Sequence, residues 1–211
     1  MQWLKERWLR VLTHVGALTP LVIWGWQYAQ GRFFDPVTAM IARTGSAGLI
    51  LLLLTLACTP INLIFGFKRI LRVRRALGLY TFAYVTLHLL TFAGLDYRFD
   101  LNRLGTAIIS QPYVLVGFIA FLLLLALAVT STDNWKRRLG KRWKSIQRLI
   151  YAGAILDIIH VMWLRKNIWE PWPYLLILVI LMVIRIPVVS KGIKAARGHL
   201  RNGDNRPMLG G

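Results

Sequence analysis

The chain has 211 residues, enough for one domain or one compact bundle; 56% are hydrophobic and only 17% charged. The apolar residues lie in long blocks, Leu49 to Ile64 and Val114 to Val129 among them, and the charge is too sparse to cover a soluble surface. The net charge of +19 would suit a nucleic-acid binder, but the basic residues punctuate apolar spans instead of lining one face, so no nucleic-acid partner is expected. The single cysteine, Cys58, sits in an apolar run, which excludes an intrachain disulfide and any cysteine-based zinc or iron–sulfur site and leaves a packing role.

In chain order, a basic N-terminal segment (MQWLKERWLR) precedes the first apolar stretch. No small-residue cleavage site follows it, and it is read as a retained first helix, not a signal peptide. Six spans are expected, at about 9–28, 44–65, 76–95, 113–131, 149–164 and 172–189, the fifth weakened by Asp157 and His160. The predicted fold is an all-α integral membrane six-helix bundle over residues 1–198, with a disordered cytoplasmic tail at 199–211. No soluble domain, long linker or internal repeat is evident.

The N-terminal segment carries three Lys or Arg, the 66–75 loop five, the 132–148 loop seven and the segment from Arg185 six, against two in each of the other three loops. The positive-inside rule then places both termini in the cytoplasm, with the basic segments against anionic membrane lipid.

Three of the four histidines lie within spans, where polar groups are costly and tend to be functional. His199 falls in the basic tail and is expected to be solvated. His88 lies 13 residues beyond Arg75, and His160 lies 12 beyond Arg148. At 1.5 Å per residue both are roughly 18–20 Å from those basic anchors, at matching depth on parallel helices. That arrangement fits axial ligation of one haem iron from both sides. Ala152, Gly153 and Ala154 offer room for a macrocycle, and no Cys or Glu is placed to complete a zinc site. On the residues alone, interhelical hydrogen bonding and a proton or ion path stay open beside haem. His14 lies four residues past Arg10, too near the cytoplasmic face to share that haem, and is a candidate for a second, inner site. Asp157, the one carboxylate within a span, is a candidate for orienting a histidine or moving protons.

Four runs carry a resemblance: HVGALTPLVIWGW, ARTGSAGLILLLLTLACTPI, RRALGLYTFAYVTLHLLTF around His88, and TSTDNWKRRLGKRWKSIQRLIYAGAILDIIH leading to His160. They are similar to the ferric-reductase-like transmembrane family. Their order and spacing resemble its branch of haem-binding membrane subunits of periplasmic protein-methionine-sulfoxide reductase systems, the MsrQ or YedZ family. The resemblance implies a bacterial inner-membrane electron-transfer subunit that binds haem b through His88 and His160, and also FMN. It implies electrons taken from the quinone pool or a cytoplasmic flavin reductase. They would pass to a periplasmic molybdopterin-containing catalytic subunit that repairs oxidised methionine in envelope proteins. The family often has a second histidine in a W-x-x-L-H-R-L-x-Y pattern; here WKSIQRLIY puts Gln147 in its place, so an inner haem there would need another ligand, such as His14.

The chain has no Gly-rich dinucleotide fingerprint after a strand, so electrons must arrive from another molecule. Arg72, Arg74, Arg75, Lys141 and Arg142 are candidate contacts for an acidic donor or a flavin phosphate, or simply topology and lipid determinants. The loops 29–43, 96–112 and 165–173, flanked by Tyr97, Phe99, Tyr113, Trp169 and Trp172, would form the outer docking surface. The alternatives are a ferric or cupric reductase core and a non-redox transporter or assembly protein.

Overall fold

The computed structural model describes residues 2–165 and 169–203. Residues 166–168 of the 165–173 loop and 204–211 of the expected tail lie outside the described residues; the last described helix runs on to Gly203.

Every regular element among the described residues is helical. The first helix, α1 (Gln2–Ala29), is followed by α2 (Pro36–Phe65). Asp35 caps α2 by accepting the Thr38 amide at 3.1 Å, and Pro36 occupies the first helical position, where its missing N–H costs nothing. Gly66, at φ 70°, ends α2 in the left-handed conformation that glycine adopts freely, its amide returning to the Asn62 carbonyl at 2.9 Å. A short 3₁₀ turn (Lys68–Arg72) leads into α3 (Arg74–Thr91), which ends in a π-helical turn (Phe92–Asp96). Arg98 and Phe99 follow with φ of 52° and 56°, an uncommon left-handed pair of non-glycine residues.

Helix α4 (Leu101–Ser110) is amphipathic and was not anticipated as an element; its ten residues are too few to cross a bilayer. Then come α5 (Pro112–Val129), two short basic helices α6 (Asp133–Leu139) and α7 (Arg142–Gln147), and α8 (Leu149–Leu164). Helix α9 (Trp172–Val183) breaks before Pro187 opens α10 (Pro187–Gly203), with a 74° bend between them.

Among the described residues four helices are long and apolar enough to cross a membrane: α2, α3 with its π turn, α5, and α7 joined to α8; the bent α9–α10 pair makes a fifth if counted as one span. Helix α1 has the length, but Thr13, His14, Thr19, Pro20 and Gln27 dilute its apolar content. The broken last span has a physical cause: proline cannot donate the backbone bond that would carry α9 through 187. Arg185 sits in the break, its guanidinium bonded to the Leu56 carbonyl and, at 2.5 Å, to the Tyr151 hydroxyl.

Helix α2 runs through the centre. Leu49, Leu52, Leu53 and Leu56 pack with Leu124 and Leu127 of α5, Ala154 and Ile158 of α8, and Leu178 and Leu181 of α9. The outer faces carry large apolar side chains such as Val22, Ile50, Leu54, Leu90, Ile155, Leu176 and Ile180, a surface suited to lipid and not to water.

Candidate functional site

Two helical hairpins, α2–α3 and α5–α8, each bring one histidine to the same place. His88, near the end of α3, and His160, near the end of α8, face each other with ring centroids 6.2 Å apart and planes at 81°. The Nδ1 of His88 lies 2.9 Å from the Ile41 carbonyl at the start of α2, and that of His160 lies 2.7 Å from the Tyr113 carbonyl at the start of α5. A carbonyl only accepts, so each Nδ1 carries the proton and donates it. Each Nε2 therefore keeps a free lone pair, the form in which imidazole binds a metal.

The rings approach because glycine stands one helical turn beyond each carbonyl. A Cβ on Gly45 would come within 3.0 Å of His88 Nδ1, and one on Gly117 within 2.7 Å of His160 Nδ1. Positions 41, 45 and 88 of one hairpin thus repeat as 113, 117 and 160 of the other. The sequence suggested no internal repeat; the structure shows this paired one, carried by backbone positions and one turn of helix, which composition does not display.

The histidines line a cavity of about 980 Å³. Its walls are mostly apolar, with Leu49, Val85, Leu89, Phe118, Phe121 and Leu124 among them. The π turn and the left-handed Phe99 lie at its rim, as do Leu101, Leu104 and Ile108 of α4. Asp157 also lines it, half-buried, with a buried Oδ2 lacking any hydrogen-bond partner among the described residues. A second, smaller groove of about 590 Å³ runs between α1, α2 and α3, and Ala42 and Ser46 line both spaces.

Of the other residues singled out in the sequence, neither His14 nor Gln147 reaches this cavity. His14 Nδ1 pairs with the Tyr80 hydroxyl at 2.8 Å on an exposed face between α1 and α3. Gln147 donates to the Thr130 hydroxyl at 3.1 Å and to the Leu127 carbonyl at 3.4 Å. Arg74 and Arg75 open α3, and Arg75 pairs with Asp133 at 3.5 Å across an exposed surface. Lys141 and Arg142 stand exposed at the start of α7. All four basic residues are at the ends of α3 and α7–α8 opposite the histidines.

The donor set suits a flat metal-centred group. Metal–imidazole bonds of about 2.0–2.1 Å on both sides of one ion hold two ring centroids about 6 Å apart. No cluster of three or more His, Cys, Asp or Glu occurs among the described residues, so a metal held by His88 and His160 would take its other bonds from the group that carries it.

Residues 44–158 match the family described as "Ferric reductase like transmembrane component". The match takes in Gly45, His88 and Gly117. The "Protein-methionine-sulfoxide reductase heme-binding subunit MsrQ" of Xanthomonas axonopodis pv. citri is 41% identical over 185 residues, covering 84% of this chain and 85% of its own. The protein of the same description from Rhodospirillum rubrum is 41% identical over 191 residues, covering 89% and 92%.

The chain belongs to the MsrQ family of ferric-reductase-like transmembrane proteins.

It is accordingly a multi-pass membrane protein. The sequence singles out the two histidines and Asp157 but not the carbonyls of Ile41 and Tyr113 or the cradle glycines that position the rings, nor the Arg165–Glu170 pair on the cavity wall. The one available signal was a glycine at the same separation before each histidine.

Proposed function

We propose that this chain is a haem b-binding electron-transfer subunit of a bacterial inner membrane. It passes electrons from the quinone pool or a cytoplasmic flavin donor to a periplasmic molybdopterin methionine sulfoxide reductase, for repair of oxidised periplasmic proteins. The observation that carries this reading is the facing of two imidazoles whose Nδ1 protons are both committed to backbone carbonyls. His88 and His160 would hold the iron through Nε2, and the two carbonyls would fix ring orientation and ligand basicity. Bound haem supplies a one-electron carrier. The chain's part is to aim the ligands and to exclude water with apolar walls, which tunes the potential. The relatives' description as haem-binding subunits of a methionine sulfoxide reductase supports both cofactor and partner.

Six spans, with α1 first and α9–α10 as a broken last one, put the four Lys- and Arg-rich segments on one side, which supports cytoplasmic termini. The histidine cavity then opens toward the periplasm, among the loops 29–43, 96–112 and 165–173. Arg74, Arg75, Lys141 and Arg142 would face a cytoplasmic donor or an FMN phosphate, and His14 and Gln147 would belong to an inner site.

The test is visible spectroscopy of the detergent-purified protein. A low-spin b-type spectrum is expected in the wild type and in His14→Ala. Its loss is expected in His88→Ala and in His160→Ala. A colourless wild type after haem supplementation overturns the reading. Reoxidation of the reduced haem by ferric or cupric ions as fast as by the catalytic subunit would replace it with a metal reductase.

A further inference from the structure

The residues lining the histidine cavity are unevenly charged. Asp96, Asp157 and Glu170 contribute carboxylates, whereas Arg165 is the sole Lys or Arg among the described residues that line it. A b-type haem brings two carboxylates of its own, and three acids around its site oppose them. A cation on the cavity wall would offset them. Arg43, between Ile41 and Gly45 in sequence, is committed elsewhere: it donates to Gln27 Oε1 at 2.5 Å, lies over the Phe33 ring, and lines the other groove.

Arg165 is placed for the task. It follows the last residue of α8, five positions beyond His160, hence about 7–8 Å farther along the helix direction and toward the cavity rim. There the backbone turns extended, at φ −86° and ψ 121°. Its guanidinium pairs with Glu170 at 2.5 Å, and both side chains are partly exposed, at 39% and 49%. Glu170 lines the same cavity, so the ion pair sits on its wall. The partner is a carboxylate, which is also the group a porphyrin presents, and the planar fork of arginine matches either one bidentately.

Resting on the haem reading above, we infer that Arg165 anchors the haem carboxylates at the cavity rim, exchanging Glu170 for a propionate. Glu170 then acts as the placeholder that pairs with Arg165 when no propionate does.

The experiment uses the full chain, stripped of haem in detergent and titrated with haem and with haem dimethyl ester, whose carboxylates are blocked. Wild type, Arg165→Gln, Arg165→Lys and Glu170→Gln are compared, with elution as a single species checking the fold of each. Wild type should prefer haem over the ester by roughly tenfold, and Arg165→Gln should lose that preference by binding haem about tenfold more weakly and the ester unchanged. The low-spin spectrum should persist in both complexes of Arg165→Gln, because the histidine ligands are untouched. Arg165→Lys should recover part of the preference, and Glu170→Gln should bind haem at least as tightly as wild type. If Arg165→Gln keeps the preference, or loses haem and ester equally, the inference is overturned while the haem reading stands. A wild type that binds neither overturns both.

Discussion

The hairpins α2–α3 and α5–α8 hold their histidines by the same device and differ in nearly everything around it. Carbonyl, glycine and histidine recur in matching places. One turn before the histidine, however, α3 has Val85 and α8 has Asp157. Val85 packs into Gly48, where a Cβ would sit 2.8 Å from its Cγ2. The position matching Gly48 in α5 is Ala120, and Asp157, which lines the cavity, has a buried Oδ2 with no hydrogen-bond partner among the described residues. Valine fills this place against α2, whereas the carboxyl at the matching place on α8 leaves a buried oxygen without a partner among the described residues. The shared part of the two hairpins aims the rings; the unshared part sets the environment in which they work.

The largest effect tests whether the halves are equivalent. His88→Ala and His160→Ala should each remove the whole low-spin haem spectrum, and a low-spin centre surviving in one of them would show that one half alone suffices. Next come the cradles. Gly117→Ala and Gly45→Ala push on the Nδ1 that donates to the carbonyl, and losses of this outer-shell kind run about 10–100-fold in metal affinity. Gly117→Ala should be the worse, since its closest approach is 2.7 Å against 3.0 Å for Gly45. Haem content per chain after dilution measures both, and the reverse order would mean that the α2 cradle is the stiffer one.

Exchanging the unshared residues sharpens the comparison. Asp157→Val should stabilise the haem-free protein by about 1–3 kcal/mol, the usual cost of a buried polar group without a partner. Val85→Asp should destabilise it by a similar amount, and melting in detergent reads both. An unstable Asp157→Val would mean that the carboxyl is paired in the protein's working state.

The smallest effect lies at the helix starts. Asp35 caps α2 with its side chain, whereas Gln111 at the start of α5 makes no such cap and instead accepts the Tyr113 hydroxyl at 2.5 Å. Hydrogen bonds from Thr38, side chain then backbone, hold the Asp35 carboxyl below its ordinary value of 3.8. A lowered folded value means that the cap contributes fully above the unfolded value and fades as pH falls through the folded one. Hydrogen-exchange protection at the start of α2 should therefore drop below about pH 4 in wild type. It should not drop in Asp35→Asn, and the start of α5 should show no such step.

The spans at 44–65, 76–95, 113–131 and 149–164 were legible because a run of leucine, isoleucine and valine needs no partner to declare itself. The match in depth of His88 and His160 was legible because helix rise converts residue counts to distance. Helix α2 begins at Pro36, not near 44, because the Asp35–Pro36 start signal precedes residues such as Thr38 and Arg43 that dilute the apolar pattern. The span at 172–189 hid a break, since Pro187 reads as a tolerable interruption until its lost hydrogen bond is placed. The glycine cradles left a single trace, a glycine at the same separation before each histidine, and the Arg165–Glu170 pair left none. They depend on which helix faces which, and that is decided by contacts between segments far apart in the chain.

The break in the last span also bears on the bilayer. Twelve residues make α9 about 18 Å long, while the thirty of α2 make about 45 Å, against a hydrocarbon core near 30 Å. One face of the bundle is therefore too short for the membrane that its central helix overfills. Lipid must thin beside α9 or the basic α10 must lie at the headgroups there, and thickness mismatch becomes a property of a single face. Reconstitution in lipids of graded acyl length would load that face first, and the Arg185 contacts to Leu56 and Tyr151 are the ones that would bear the strain.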